Sequence, residues 1–323
     1  MKTTLITGVA GFVGSNLATA LISRGYRVRG VDNLSQGLRR NMESFIDDPN
    51  FKFYELDVCD RESMESISDG VSCIVHLAAF KIPRYGGASR TLLVNAKSTE
   101  NILEIARTKG IKVLFSSTSD VYGKNPKLPF TEDSDLLLGP TKVSRWSYAA
   151  SKIYDELLCF AYHREYGVPV VIVRYFGGYG PGQHLSWWSG PQSVFITRAL
   201  KNQPMPIHGN GRQIRSFTYI SDLVKGTIMA MERREAIGQV FNIGNTREIS
   251  ILELAKMIWK MIHPKKKPLI DFVPYKNFSD NYEDVLKRMP DNTKAKRLLN
   301  FTARVELEEG LPLTISWQRQ FIK

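Results

Sequence analysis

The stretch Thr4-Leu-Ile-Thr-Gly8-Val-Ala-Gly11-Phe-Val-Gly14 decides how this chain reads. Its β-branched start predicts a strand. Val13, Leu17, Ala20 and Leu21, spaced i, i+4, i+7 and i+8, predict a helix with one apolar face packed on a sheet. The glycines fall where strand becomes helix, and there the missing side chains permit a tight turn. They also let a pyrophosphate approach backbone N–H groups at the helix N-terminus. A glycine triplet alone is weak evidence. Between a strand and an amphipathic helix it points to a dinucleotide site built from Gly8, Gly11, Phe12, Val13 and Gly14.

The same alternation continues down the chain. Arg27–Val31, Phe51–Tyr54, Cys73–His76, residues 112–115 and residues 170–173 are short runs rich in strand-forming residues, separated by helix-length segments. This predicts an α/β fold with a Rossmann-type doubly wound parallel sheet over residues 1–176. The helix after Tyr148 is predicted to bury Ile153, Leu157, Phe160 and Ala161 and to stop at Gly167, before Pro169. From residue 177 the chain turns to Gly, Pro and Trp, as expected of a long binding loop. Short elements beyond that loop predict a smaller C-terminal α/β substrate-binding lobe over residues 177–323. Some of its strands and helices are expected to return to the first domain.

The composition narrows the class. The 323 residues hold 44 Lys and Arg against 32 Asp and Glu, a net charge of +12, but the cations are scattered. The densest run, Lys265-Lys266-Lys267, is bracketed by prolines and reads as a solvated loop rather than a nucleic-acid surface. A basic balance also suits an anionic small substrate. No apolar run reaches membrane-spanning length, so a cytoplasmic protein with no membrane partner is expected. Cys59, Cys73 and Cys159 form no Cys-x-x-Cys pair and have no histidine at ligand spacing, so no metal site is expected.

Asp32 lies 18 residues beyond Gly14, at the end of the second strand, where a carboxylate accepts both ribose hydroxyls and repels a 2′-phosphate. That favours NAD. Arg39 and Arg40 keep NADP open. Asp57, after the third strand, is read either as a contact to adenine or as a turn residue. Chemistry enters with Tyr148-Ala-Ala-Ser-Lys152. A phenol with an ordinary pKa of about 10 is a poor base at neutral pH. A lysine at i+4 lies on the same helix face, where its ammonium favours the phenolate and can hold the nicotinamide ribose. Such a pair can take a proton from a sugar hydroxyl as hydride leaves.

Several further pieces accompany the glycine turn and the Tyr/Lys pair. They are His76-Leu-Ala-Ala79, Ser116-Ser-Thr-Ser-Asp-Val-Tyr-Gly123, Arg174-Tyr-Phe176 with Tyr179-Gly-Pro181, Gly209 through Phe217 and Arg288-Met-Pro-Asp291. Together they resemble the extended short-chain dehydrogenases/reductases that modify nucleotide sugars: epimerases, dehydratases and decarboxylases. The resemblance implies NAD as cofactor and a nucleotide-sugar substrate, with UDP-sugars favoured. It also implies oxidation at C4 to a 4-keto sugar, with Thr118 near C4, Tyr148 as base and Lys152 tuning it. Asn33, Val58, Leu77, Ala78, Ala79, Asn95, Ser116 and Tyr175 are implied around the cofactor. Lys81, Gly177, Gln192, Arg215 and Arg288 are implied around the substrate, the arginines gripping its anionic groups. A homodimer through the helix carrying Tyr148 is implied as well.

The fate of the 4-keto sugar turns on Ser119 and Asp120. Dehydratases carry an Asp-Glu pair there, simple epimerases small neutral residues, and UDP-glucuronate decarboxylases Thr-Ser-Glu. Thr118-Ser119-Asp120 resembles the last, with the carboxylate one methylene shorter. Two residues depart from the family pattern: Gly177 stands for an Asn and Gly182 for an Arg. Trp187-Trp188 reads either as a base-stacking platform or as loop packing. The sequence reading ranks a UDP-sugar 4-epimerase first, a UDP-glucuronate decarboxylase second and a dehydratase third. A non-catalytic NAD-binding regulator is the alternative of another class.

Overall fold

A computed structural model describes residues 2–81, 87–277 and 283–322. The first half alternates strand and helix: β1 (Thr3–Thr7), α1 (Phe12–Ile22), β2 (Arg27–Val31), β3 (Phe51–Tyr54), α2 (Arg61–Ser66), β4 (Cys73–His76), α3 (Ala88–Lys109), β5 (Lys112–Thr118), α4 (Trp146–Tyr166) and β6 (Val170–Tyr175). β6, β5, β4, β1, β2 and β3 lie side by side in that order, all parallel. The strand Gln239–Ile243 adds a seventh member beside β6. Strand order reverses between β1 and β4, so the chains leaving their paired C-terminal ends turn to opposite faces and open a crevice, the usual ligand position of such sheets. Apolar residues fill both faces: Ile6, Leu17 and Leu21 on one, Leu5, Ile74 and Ile102 on the other.

Helix ends follow local chemistry. α3 and α4 stop on Gly110 and Gly167, both left-handed, a conformation that glycine adopts without the strain a side chain brings. Ser250 caps the helix Ile251–Ile262 with Glu253 closing a capping box. The second half forms small parallel or mixed pairings: Gly178–Tyr179 with Thr218–Tyr219, Met205–His208 with Ile270–Val273, and Ile214–Arg215 between Ile249–Ser250 and Lys287–Arg288. The helix Ile220–Glu232 returns to pack on α1.

One packing expectation is corrected. The buried side of α4 carries Lys152, Asp155, Glu156 and Cys159, while Leu157 is 63% exposed. A polar residue can face inward because a partner waits there. Glu156 accepts two bonds from Arg174 of β6, at 2.9 and 2.6 Å, a bidentate pair that fixes α4 on the sheet. Tyr154 and Leu157 are left on an outer apolar face.

Candidate active site

The crevice divides into two communicating cavities. The first, of about 290 Å³, follows the glycine turn and is lined by Gly8, Gly11, Phe12, Val13, Gly14, Asp32, Asn33, Asp57, Val58, Leu77, Ala78, Ala79, Ser116, Tyr148, Lys152 and Tyr175. A Cβ on Gly14 would collide with the Gly8 carbonyl and lie 2.8 Å from Val9 Cα, and Gly8 itself has φ +71°. Both positions therefore demand glycine. α1 has no side-chain cap and no acidic residue in its first turn, so its first amides and the positive end of its dipole face the cleft.

Asp32 stands at the end of β2 and accepts from Ala10 N at 3.0 Å and Leu34 N at 2.8 Å; burial raises its pKa. Arg39 is paired with Glu55, and Arg40 lies over the Phe321 ring. Neither of these contacts involves Asp32, which suits a ribose with a free 2′-hydroxyl. Asp57 accepts from Asn33 and from Cys59 N, fixing the adjacent turn. The residues thus fit a dinucleotide with its diphosphate at α1 and its ribose at Asp32. Asn95 differs from expectation. Its amide is spent on Phe80 N, Phe80 O and Ser151 Oγ, so it ties the β4 loop to α4 and does not line the cleft.

The second cavity, of about 420 Å³, joins the first at Phe12, Lys81, Ser117, Tyr148, Tyr175 and Trp188. Thr118, Ser119, Asp120, Gly177, Gln192, Arg215 and Arg288 line it, as the sequence led one to expect. Thr118 ends β5 and its hydroxyl accepts from Asp120 N at 3.2 Å, which caps the following turn. Asp120 Oδ1 lies 2.6 Å from Arg288 Nη2, and Arg288 Nη1 donates to Ser119 Oγ at 3.3 Å. Arg288 thus joins Ser119 and Asp120, the pair left to decide the reaction, in one contact cluster.

Arg145 was not singled out from the sequence, although it precedes Tyr148 by one helical turn. It donates to Asp284 Oδ1 at 3.0 Å and reaches Asp120 Oδ1 at 3.8 Å. Arg215 Nη2 meets the same Asp284 at 3.2 Å. Burial, with Arg288 and Arg145 close by, lowers the Arg215 pKa to about 10. Among the described residues, Lys81, Arg145, Arg215 and Arg288 therefore face two carboxylates, Asp120 and Asp284, and the cavity is cationic.

Burial followed by Asp120 and Asp155 pushes the Tyr148 pKa upward, while burial lowers that of Lys152, whose Nζ donates to Ser116 O at 2.9 Å. The phenol is therefore protonated at rest, and becoming a base requires added positive charge beside it. Of the tryptophans, Trp187 stacks on His208 at 4.1 Å and meets Phe195 edge-on, while Trp188 packs edge-on against Phe80 at the junction of the cavities. Among the described residues no group of His, Cys, Asp and Glu forms a metal site. None of the described helices is long and apolar enough to cross a membrane.

Comparison with known proteins agrees with this geometry. A family model described as GDP-mannose 4,6 dehydratase matches residues 5–314. The chain is 39% identical to UDP-N-acetyl-alpha-D-glucosaminuronate decarboxylase of Bacillus cytotoxicus, over 99% of this chain and 98% of that protein. It is 34% identical to UDP-glucuronate 4-epimerase of Thermodesulfobacterium geofontis, over 99% and 97% of the two chains. Among solved structures, UDP-glucuronic acid 4-epimerase from Bacillus cereus, in complex with UDP-glucuronic acid and NAD, superposes with a TM-score of 0.87. That match has 30% identity and covers 99% of both chains.

Proposed function

The chain belongs to the GDP-mannose 4,6 dehydratase family of extended short-chain dehydrogenases/reductases, and from that premise we propose that it is an NAD-dependent decarboxylase of a UDP-linked uronate. The observation that carries this reading is the contact cluster of Ser119, Asp120 and Arg288 in the cavity of Tyr148 and Thr118. The sequence ranks the epimerase first, since that reaction needs only Thr118, Tyr148 and Lys152 and tolerates an acid at position 120 that points away or meets a polar substrate group. Asp120 is tied to an arginine able to meet a carboxylate, and the relative at 39% identity is a uronate decarboxylase. A dehydratase is disfavoured, because Asp120 is held in an ion pair and its neighbour is a serine rather than a second acid.

NAD, held by the glycine turn, Asp32 and Lys152, would supply the hydride acceptor and a positive charge near Tyr148. Tyr148 takes the proton from the C4 hydroxyl, and Thr118 holds that oxygen in place. With C4 a ketone, the C5 carboxylate is β to a carbonyl. Its C–C bond breaks with the electron pair moving toward the C4 oxygen, where the Tyr148 and Thr118 hydroxyls stabilise the negative charge. Arg288 orients the carboxylate before it leaves. Ser119 accepts from Arg288, so its own hydroxyl hydrogen remains free to donate into the cavity. Arg145 and Arg215 are assigned to the diphosphate, with the nucleotide in the lobe formed by residues 177–323.

The epimerase is the second reading, supported by the 34% relative. Purified protein with NAD and UDP-N-acetylglucosaminuronate or UDP-glucuronate is expected to release carbon dioxide. An unchanged mass with inverted C4 would instead establish epimerisation, and no turnover of either uronate or of UDP-glucose would remove both readings. We also propose a homodimer, through the outer face of α3 and α4 on which Leu92, Leu93, Tyr154 and Leu157 are exposed. A monomer by light scattering would refute it.

A further inference from the structure

α4 carries a charged residue that none of these roles uses. Asp155 lies three residues beyond Lys152 and seven beyond Tyr148, which places all three on one side of the helix. It is 0% exposed, and neither carboxylate oxygen has a hydrogen-bond partner. Thr99 of α3 faces it, and the Thr99 hydroxyl is likewise buried without a bond of good geometry. An isolated buried carboxylate is among the most costly groups a fold can contain. A nearby cation offsets that cost, and the neighbouring cation is Lys152, itself 2% exposed and resting over the Phe115 ring at 4.4 Å.

We propose that Asp155 is a positioning residue, the counter-ion that keeps Lys152 protonated inside the interface of α4 with the sheet. The proposal rests on reading Lys152 as the partner of Tyr148. Burial without compensation drives a lysine toward its neutral amine. A neutral Lys152 would no longer favour the Tyr148 phenolate, and its grip on the cofactor ribose would weaken. The other charged groups around α4 do not substitute for Asp155. Glu156 is engaged by Arg174 of β6, and Asp120 of the turn after β5 by Arg288. His76 of β4 is held neutral by burial, and burial keeps the Cys159 thiol from ionising. Burial raises Asp155 itself to about 6, so near neutral pH it is charged and paired with a charged Lys152. Asp155 also faces Tyr148 and opposes the phenolate there, so its net effect must act through Lys152.

The test compares the wild type, Asp155→Asn and Tyr148→Phe, measuring kcat and NAD affinity between about pH 6 and pH 9.5. Removing a neighbouring opposite charge shifts a pKa by about one unit or more. The alkaline limb of kcat in Asp155→Asn is therefore expected to move down by that amount. NAD affinity, followed by protein fluorescence without substrate, should fall over the same pH range. Profiles that superimpose on the wild type in both measurements overturn the proposal. Tyr148→Phe separates the premise: if that variant turns over normally, the role given to the Tyr/Lys pair fails, while the NAD profile still reports on Asp155. Should Asp155→Asn not fold, Asp155→Ser repeats the measurement in a smaller neutral side chain. Failure of both to fold makes Asp155 structural and also overturns the proposal.

Discussion

The two halves of the cleft are built from different materials. The cofactor half is mostly main chain: a glycine turn, the first amides of α1 and the ends of parallel strands, with Asp32 as its principal charged residue. The substrate half is mostly side chain, with charges drawn from positions 81, 120, 145, 215, 284 and 288. A site made of backbone is specified by short, local sequence. One made of converging charges is specified by tertiary structure, and each charge depends on the others for solvation.

The largest effect expected from breaking the substrate half is at Arg288. Arg288→Ala removes the 2.6 Å partner of Asp120, and truncating one member of a close charge pair typically costs about 2–5 kcal/mol. A loss of about a hundredfold in kcat/KM for a UDP-uronate is expected, with a much smaller change in NAD affinity. Equal losses in both would mean that the halves are not separable.

The cofactor half is instead sensitive to acid. His76 is 1% exposed; its Nδ1 lies 2.8 Å from Thr7 Oγ1, which itself accepts from Leu77 N and Ala78 N in the cleft wall. The threonine hydroxyl is thus left to donate to a neutral ring. Burial holds the His76 pKa at about 3, against 6.5 in the unfolded chain. The neutral form favours the fold, so this stability is fully present above about pH 6.5 and is lost as pH falls toward 3. Roughly 2 kcal/mol should be gone by about pH 5, measured by urea unfolding, and His76→Asn should flatten the slope. A stability that does not change over that range would contradict the assignment.

A third effect, on ligand affinity alone, is at Gly14. Gly14→Ala forces its Cβ against Gly8 and Val9, at a cost of about 1–3 kcal/mol in strain and so roughly tenfold or more in NAD affinity. The affinity of the Arg145 and Arg215 side for UDP alone should stay within a factor of about two, which calorimetry can check. A parallel loss of UDP binding would join what the comparison separates.

The same contrast explains what was legible in advance. The strands of the first domain, the stop of α4 at Gly167, the glycine turn and Asp32 follow from period and punctuation, because each is decided within a few residues, whereas the rest of the cofactor wall was implied only by the family resemblance. Asn95 was misplaced because its partners, Phe80 and Ser151, are 15 and 56 residues away. Arg145 was missed because a single arginine at a helix start carries no local signal. Its meaning comes from Asp284 and Asp120, which only the fold brings near. Leu157 of α4 was misread, although Ile153 and Phe160 do pack on the core, because hydrophobic periodicity does not anticipate a helix that turns carboxylates inward.

Arg215 and Arg288 face each other across neighbouring parallel strands, Ile214–Arg215 and Lys287–Arg288, in direct register. Adjacent strands are spaced about 4.8 Å apart by their hydrogen bonds. The anchorage of the two guanidiniums is therefore a ruler ruled in main chain. A ligand whose anionic ends match it meets both charges without moving either backbone, and one of another length must bend side chains away from their carboxylate partners. Repacking the surrounding side chains leaves the ruler unaltered, whereas a one-residue slip of the Lys287–Arg288 strand would re-gauge the cavity for a different substrate.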